Sequence, residues 1–158
     1  MSFTAKLVAA PDKCAPQVRA VIKEFEAICF PADTRVKIKG SFWWFLEAEK
    51  SPVAYAALRP CGLAINRGMG FLLRAGVLPE WRGMGLQRQL IAARVQFAKR
   101  SGLSELVTYT VPTNLASANS LIGEGFKLYE PTSRWGGKAA LYFRAELTKS
   151  SKPLHPGE

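Results

Sequence analysis

Residues 71–87 read Phe-Leu-Leu-Arg-Ala-Gly-Val-Leu-Pro-Glu-Trp-Arg-Gly-Met-Gly-Leu-Gln. An apolar strand is interrupted by Gly76, stopped by Pro79 and followed by Arg82-Gly83-Met84-Gly85 at the head of an amphipathic helix. That order suits a phosphate compound. The first N–H groups of a helix have no intrahelical partner and carry partial positive charge, so they attract anions. Glycines let a diphosphate come close to the backbone. A glycine inside a strand often marks a bulge, and one is expected at Gly76. A bulge there tilts the strand away from its neighbour and frees N–H and C=O groups for an extended ligand. The segment therefore predicts a ligand with a diphosphate and a long amide-bearing arm.

The bulk properties remove several alternatives. The 158 residues fit one domain, and 48% of them are hydrophobic, with 17 aromatics. No apolar run approaches the roughly 18 residues of a membrane span. The N-terminus lacks the basic-then-apolar order of a signal peptide. Three scattered cysteines, Cys14, Cys29 and Cys61, suggest neither a disulfide framework nor a zinc site, and point to a cytoplasmic location. The single histidine, His155, lies in a polar tail, which argues against His-based catalysis and His-rich metal sites; no metal is expected. The net charge of +10 allows an acidic partner, but the 22 Lys and Arg are spread along the chain. No nucleic-acid motif is present.

The elements that must position the site follow from periodicity. Residues 3–9 read as a strand. A helix capped by Asp12 runs to Cys29, with Val18, Val21, Ile22, Phe25 and Ile28 at helical spacing. Residues 31–40 are a loop, 41–48 and 53–58 a strand hairpin, and 60–68 a loop. Residues 69–78 form the longest strand, 83–100 the strongest helix and 103–111 a strand. A short helix over 115–124 and strands over 126–129 and 139–147 complete the order. The class is α/β (α+β): a mixed sheet with an antiparallel centre. Residues 1–147 form a single domain, and 148–158 a polar C-terminal tail.

At this point the residues resemble a known family. Residues 69–87 are similar to the acetyl-CoA-binding motif of the GNAT superfamily of N-acetyltransferases, written Arg/Gln-x-x-Gly-x-Gly/Ala. Arg82 starts it, Gly85 fills its first fixed glycine, and Gln87 stands where the family has Gly or Ala. Val77 to Gly85 follows the family wording Val-x-Pro-x-x-Arg-Gly-x-Gly. Asn114 to Phe126 is similar to the family's Asn-x-x-Ala/Ser…Gly-Phe element. The resemblance implies a mostly antiparallel seven-stranded sheet with flanking helices and a splayed central strand pair. It implies coenzyme A, as acetyl-CoA, held by Ala75, Gly76, Val77, Arg82, Gly83, Met84, Gly85, Leu86, Gln87 and Asn114. Asn114 also reads as a helix N-cap.

The implied reaction is direct attack of a primary amine on the acetyl thioester in a ternary complex. The N–H of Val77 is the candidate donor to the thioester carbonyl. The family's usual tyrosine acid falls on Leu121, and residues 69–77 contain no acid. Tyr109 and Ser117 are the catalytic candidates for moving protons, and Glu47 is an alternative base. Each also has a bland role: strand packing for Tyr109, a small helix residue for Ser117 and a solvated strand end for Glu47. The acceptor site is expected from Phe30, Trp43, Trp44 and Trp135, with Arg35, Lys37 and Lys39 on one face of an extended segment. The acceptor is an amine of unspecified identity, and the chain is a monomer or a homodimer. Two other readings remain open: a catalytically weak acyl-CoA-binding regulatory module, motivated by Leu121, and a nucleic-acid-directed (tRNA) acetyltransferase, motivated by the charge.

Overall fold

The computed structural model describes residues 2–61 and 68–147. The elements are β1 (Thr4–Ala9), α1 (Pro16–Cys29), β2 (Phe42–Ala48), β3 (Ser51–Pro60), β4 (Met69–Val77), a 3-10 turn (Pro79–Trp81), α2 (Leu86–Arg100), β5 (Glu105–Thr110), α3 (Leu115–Gly123), β6 (Lys127–Leu128) and β7 (Leu141–Glu146). They build one seven-stranded sheet in the order β1-β2-β3-β4-β5-β7-β6. Every neighbouring pair is antiparallel except β4 with β5. The expected fold class is thereby met.

Both faces of the sheet are covered, so β2 carries aromatics on both sides. Trp43 and Phe45 pack with Ile22, Phe25 and Tyr55 on the α1 face. Trp44 and Leu46 pack with Leu86, Leu90 and Ile91 on the α2 face. The β2–β3 turn closes through Glu49 and Lys50 at φ 50° and 68°, without a glycine.

The parallel pair is short. Met69, Gly70 and Phe71 face Glu105, Leu106 and Val107, and then β4 and β5 part. The Thr108 hydroxyl donates to the Leu72 carbonyl at 2.8 Å, immediately beyond the last paired residues. A cleft opens past this point.

Four expectations about local structure need correction. The bulge of β4 sits at Arg74, not Gly76: Ala56 pairs with Ala75 and Ala57 with Leu73, which leaves Arg74 as the extra residue, at φ 34°. Asp12 does not cap α1. The helix starts at Pro16 after Ala15, because proline pre-sets the first helical φ and needs no N–H partner there. Helix α2 starts at Leu86 rather than residue 83, because Gly83 and Gly85 adopt left-handed φ of 80° and 75°. Strand β3 is longer than 53–58 at both ends. The tail and most of the 60–68 loop lie outside the described residues.

Gly76 has a different purpose from the one its position suggested. A Cβ there would lie 2.6 Å from Cys29 Sγ and 2.7 Å from Tyr55 Cε1. The absent side chain lets the end of α1 close onto β4. Gly76→Ala is expected to lower unfolding free energy by about 1–3 kcal/mol, the usual cost of overpacking, read from the urea midpoint at unchanged slope.

Candidate active site

The bulge determines where the backbone of β4 points. In an antiparallel ladder, alternate residues turn their N–H and C=O to the same neighbour, and an extra residue shifts that alternation by one. Leu78 N–H bonds to the Val53 carbonyl at 2.9 Å, and Gly76 stands opposite Tyr55. Ala75 and Val77 therefore turn their backbone groups away from β3, into the gap that β5 has left. The freed backbone groups expected from the sequence are there, although the bulge that frees them is two residues earlier. The Val77 carbonyl accepts from Arg82 Nε at 3.0 Å, so Arg82 tethers the following loop to the strand.

The loop ends in an anion cradle. Among the described residues, the backbone N–H groups of residues 83–88 have no backbone partner. Nothing lies within 4 Å of where a Cβ would stand on Gly83 or Gly85. These glycines are present for their left-handed φ and for open approach, and the site fits a diphosphate.

The cleft between β4 and β5 encloses about 580 Å³. On its α2 side stand Gln87, Ile91, Arg94, Asn114, Ser117 and Leu121. Asn114 Oδ1 caps α3 by accepting from Ser117 N–H at 3.1 Å, which leaves the Asn114 amide NH2 for a ligand. Gln87 Nε2 donates to Ser117 Oγ at 2.8 Å, tying the start of α2 to the start of α3. The Ser117 proton is then free to be given elsewhere. Among the described residues Thr110 Oγ1, which is buried, has no hydrogen-bond partner, and Thr110 also lines the cleft.

Arg94 is the least expected member. It is 2% exposed, and among the described residues it forms no ion pair. Nε donates to the Leu90 carbonyl at 3.1 Å, and Nη1 donates to the carbonyls of Ala57 at 3.0 Å and Leu73 at 3.4 Å. The last two flank the bulge. Burial presses the guanidinium pKa down to about 9, still charged at neutral pH.

The α1 side of the bulge holds an ionic cluster. Arg74 Nε lies 3.0 Å from Glu26 Oε1, and Nη2 lies 2.9 Å from Asp33 Oδ2. Its guanidinium sits 4.6 Å from the centre of the Phe30 ring. The Tyr55 hydroxyl donates to Glu26 Oε2. Burial raises the Glu26 pKa, against the pull of the Tyr55 hydrogen bond and the Arg74 charge. The Tyr55 hydroxyl is raised too, by burial first and then by Glu26. Asp33 is held down to about 2 by the Arg35 backbone N–H and the Arg74 guanidinium.

The acceptor residues selected from sequence, taken with the catalytic candidate Tyr109, separate into two groups. Phe30, Trp43 and Tyr109 line the cleft. Trp43 is buried, with Nε1 donating to the Ile38 carbonyl at 2.9 Å. Tyr109 is half-exposed against the edge of Trp135, with centroids 5.1 Å apart. Trp135 is exposed beside that wall and also meets Phe71. Trp44 does not reach the cleft; it is buried on the other face against Phe42 and Phe97. Glu47 is also remote, paired with Lys6 at 2.8 Å across β1 and β2. Arg35 and Lys37 line the cleft and Lys39 does not. Arg74, Arg94, Thr110 and Arg59 were missed from sequence. A basic residue within an otherwise apolar strand was the available signal for Arg74.

A model of the acetyltransferase (GNAT) family matches residues 13–121. The chain belongs to the GNAT acetyltransferase family. It is thus an acyltransferase by family. Its fold matches the ribosomal-protein-S18-alanine N-acetyltransferase from Escherichia coli at TM-score 0.72 and 15% identity, covering 98% of this chain and 99% of that one. A Bacillus subtilis acetyltransferase in complex with CoA matches at 0.71 and 11%, covering 93% and 100%. A GNAT family acetyltransferase from Elizabethkingia anophelis with acetyl-CoA bound matches at 0.69 and 13%, covering 92% and 98%. No curated protein matches the sequence.

Arg74→Met is expected to leave Glu26 buried without its cation. The Glu26 pKa, read from its carboxyl carbon shift, should rise further, and unfolding free energy at pH 7 should fall by about 3 kcal/mol. The wild-type pairs act only while the carboxylates are charged, and Asp33 loses its contribution as pH falls toward 2. Glu26, with a raised folded pKa, favours the folded state increasingly as pH drops, and more so in the variant. The deficit of Arg74→Met should therefore shrink on acidification from pH 7 to pH 4.

Proposed function

We propose that the protein acetylates a primary amine, using acetyl-CoA as donor, by direct attack in a ternary complex. The observation that carries this reading is the alignment of three features: the freed backbone of Ala75 and Val77, the open β4–β5 gap, and the unpaired N–H groups at the head of α2.

Acetyl-CoA would supply an activated acetyl thioester. The N–H groups of residues 83–88 hold the diphosphate, with Gly83 and Gly85 allowing contact. Ala75 and Val77 offer strand-like hydrogen bonds to an amide-bearing arm, and the Asn114 amide offers another. The Val77 N–H, turned into the gap, would donate to the thioester carbonyl oxygen as negative charge develops on it. Ser117 Oγ, already accepting from Gln87, passes its proton to the leaving thiolate and is reprotonated from solvent, so that on balance the sulfur gains the one proton that the amine loses. Leu121 lines the cleft at the usual tyrosine position and serves only to exclude water. Tyr109, on the acceptor wall, relays the proton released by the attacking amine. Phe30 and Trp43 shape that wall, with Trp135 at its rim. We also read the protein as cytoplasmic: its cysteines are free, and among the described residues no helix is long and apolar enough to cross a membrane.

The test combines calorimetry with release of free thiol over a panel of amines. Binding of acetyl-CoA without turnover of any amine would leave only the acyl-CoA-binding module. Met84 is half-exposed, so Met84→Glu should fold normally yet place a carboxylate in the cradle. It should weaken CoA by about tenfold or more and leave dephosphorylated pantetheine unaffected. Ser117→Ala and Tyr109→Phe should each lower kcat by about 10²-fold at unchanged KM for acetyl-CoA; unchanged rates would remove both from the mechanism.

A further inference from the structure

The acceptor end of the cleft holds more positive charge than its ion pairs consume. Arg35, Lys37, Arg59 and Arg74 line it, against Asp33. Arg35 and Arg74 share Asp33, and Arg74 also meets Glu26. Arg59 and Lys37 are different. Among the described residues, neither meets a carboxylate. The Arg59 guanidinium donates instead to neutral acceptors, each at 3.3 Å: Ser41 Oγ from Nε, and the carbonyls of Lys37 and Lys39 from Nη2.

Those bonds hold the 37–41 segment against β3. The segment is pinned twice more, by Trp43 Nε1 on the Ile38 carbonyl at 2.9 Å and by Gly40 N–H on the Pro11 carbonyl at 2.8 Å. The Lys37 backbone is thus anchored on a fixed guanidinium, with Nη1 of Arg59 left without a protein partner among the described residues. This pair is separate from the diphosphate cradle. Arg59 alternates with Ala57 and Tyr55, which pack on the α1 face, whereas the cradle heads α2 on the opposite face.

We propose that Arg59 and Lys37 form an anion subsite, and that the acceptor amine carries a carboxylate or phosphate group of its own. The inference rests on the acetyl-transfer reading and names its substrate class. Arg59 supplies a permanently charged guanidinium whose Nη1 donors remain for such an oxyanion, and Lys37 supplies a second point charge. A polycationic amine would meet repulsion in the same chamber.

The test uses the full chain with acetyl-CoA and four matched amines: 3-aminopropanoate, 3-aminopropylphosphonate, 3-aminopropanamide and 1,3-diaminopropane. Either or both anionic amines should exceed the amide in kcat/KM by about tenfold, with the diamine lowest; the better anion tells carboxylate from phosphate. Lys37→Gln should cut the anion-to-amide ratio several-fold. Arg59→Gln should bring it close to one, and Arg59→Lys, which keeps the charge but loses the bonds that fix the guanidinium, should retain part of it. A ratio near one in the wild type, or one that survives Lys37→Gln and Arg59→Gln, overturns the subsite. A separate arm titrates 3-aminopropanoate, the phosphonate and the amide onto CoA-loaded protein by calorimetry. If CoA binds but no amine is acetylated, the transfer reading fails. The binding arm still decides the subsite: tighter binding of an anion than of the amide supports it, and equal binding overturns it.

Discussion

The one residue added to β4 at Arg74 is the constraint on which the site depends. Without it, Ala75 and Val77 would turn their backbone groups into the β3 ladder, and the cleft would be lined by side chains alone. With it, Leu73 and Arg74 share the α1 face, and the later residues offer N–H groups to the gap. The insertion has a cost. A non-glycine residue at φ 34° is strained, and the ladder beside it is interrupted. Two arginines stabilise it from opposite faces. Arg74 is held by Glu26, Asp33 and Phe30, while Arg94 satisfies the carbonyls of Ala57 and Leu73.

The bulge alone would not make a cleft, because β5 could still follow β4. Separation needs an ending to their ladder, and the structure has one at Phe71 and Val107. Thr108 then uses its hydroxyl, rather than its backbone, to reach Leu72. A side chain at this position replaces a ladder bond and lets the strands diverge without leaving the Leu72 carbonyl bare. Gly76 contributes on the other side. Its missing Cβ lets Cys29 and Tyr55 close against β4.

Much of this was legible in the sequence, for reasons tied to particular residues. Gly83 and Gly85 flag left-handed backbone, and Pro79 ends a strand, so the cradle could be located without coordinates. Seven strands and three helices followed from alternation and helical spacing. The bulge was misplaced because glycine is a frequent marker of one, and Gly76 was the only glycine late in the strand. Close packing, which also demands glycine, depends on Cys29 and Tyr55, far away in the chain. Trp43 and Trp44 were inseparable by type; only the register of β2 sends one to the cleft and the other to the α2 core. Arg94 was hidden within a helix whose exposed basic residues look the same in sequence.

The two faces of the cleft use arginine for opposite purposes. Among the described residues Arg94 donates to carbonyls alone and is buried almost completely, so its charge serves the backbone of the bulge. Arg74 is neutralised by two carboxylates, so its charge is also internal. Arg59 binds carbonyls as Arg94 does, but it is only partly buried and lines the opening from the α1 face. Its charge remains available because the groups that fix it are neutral. The two deeper arginines therefore serve the geometry that exposes Val77, and the outer one, with Lys37, lies where the proposed anion subsite would need an uncompensated charge.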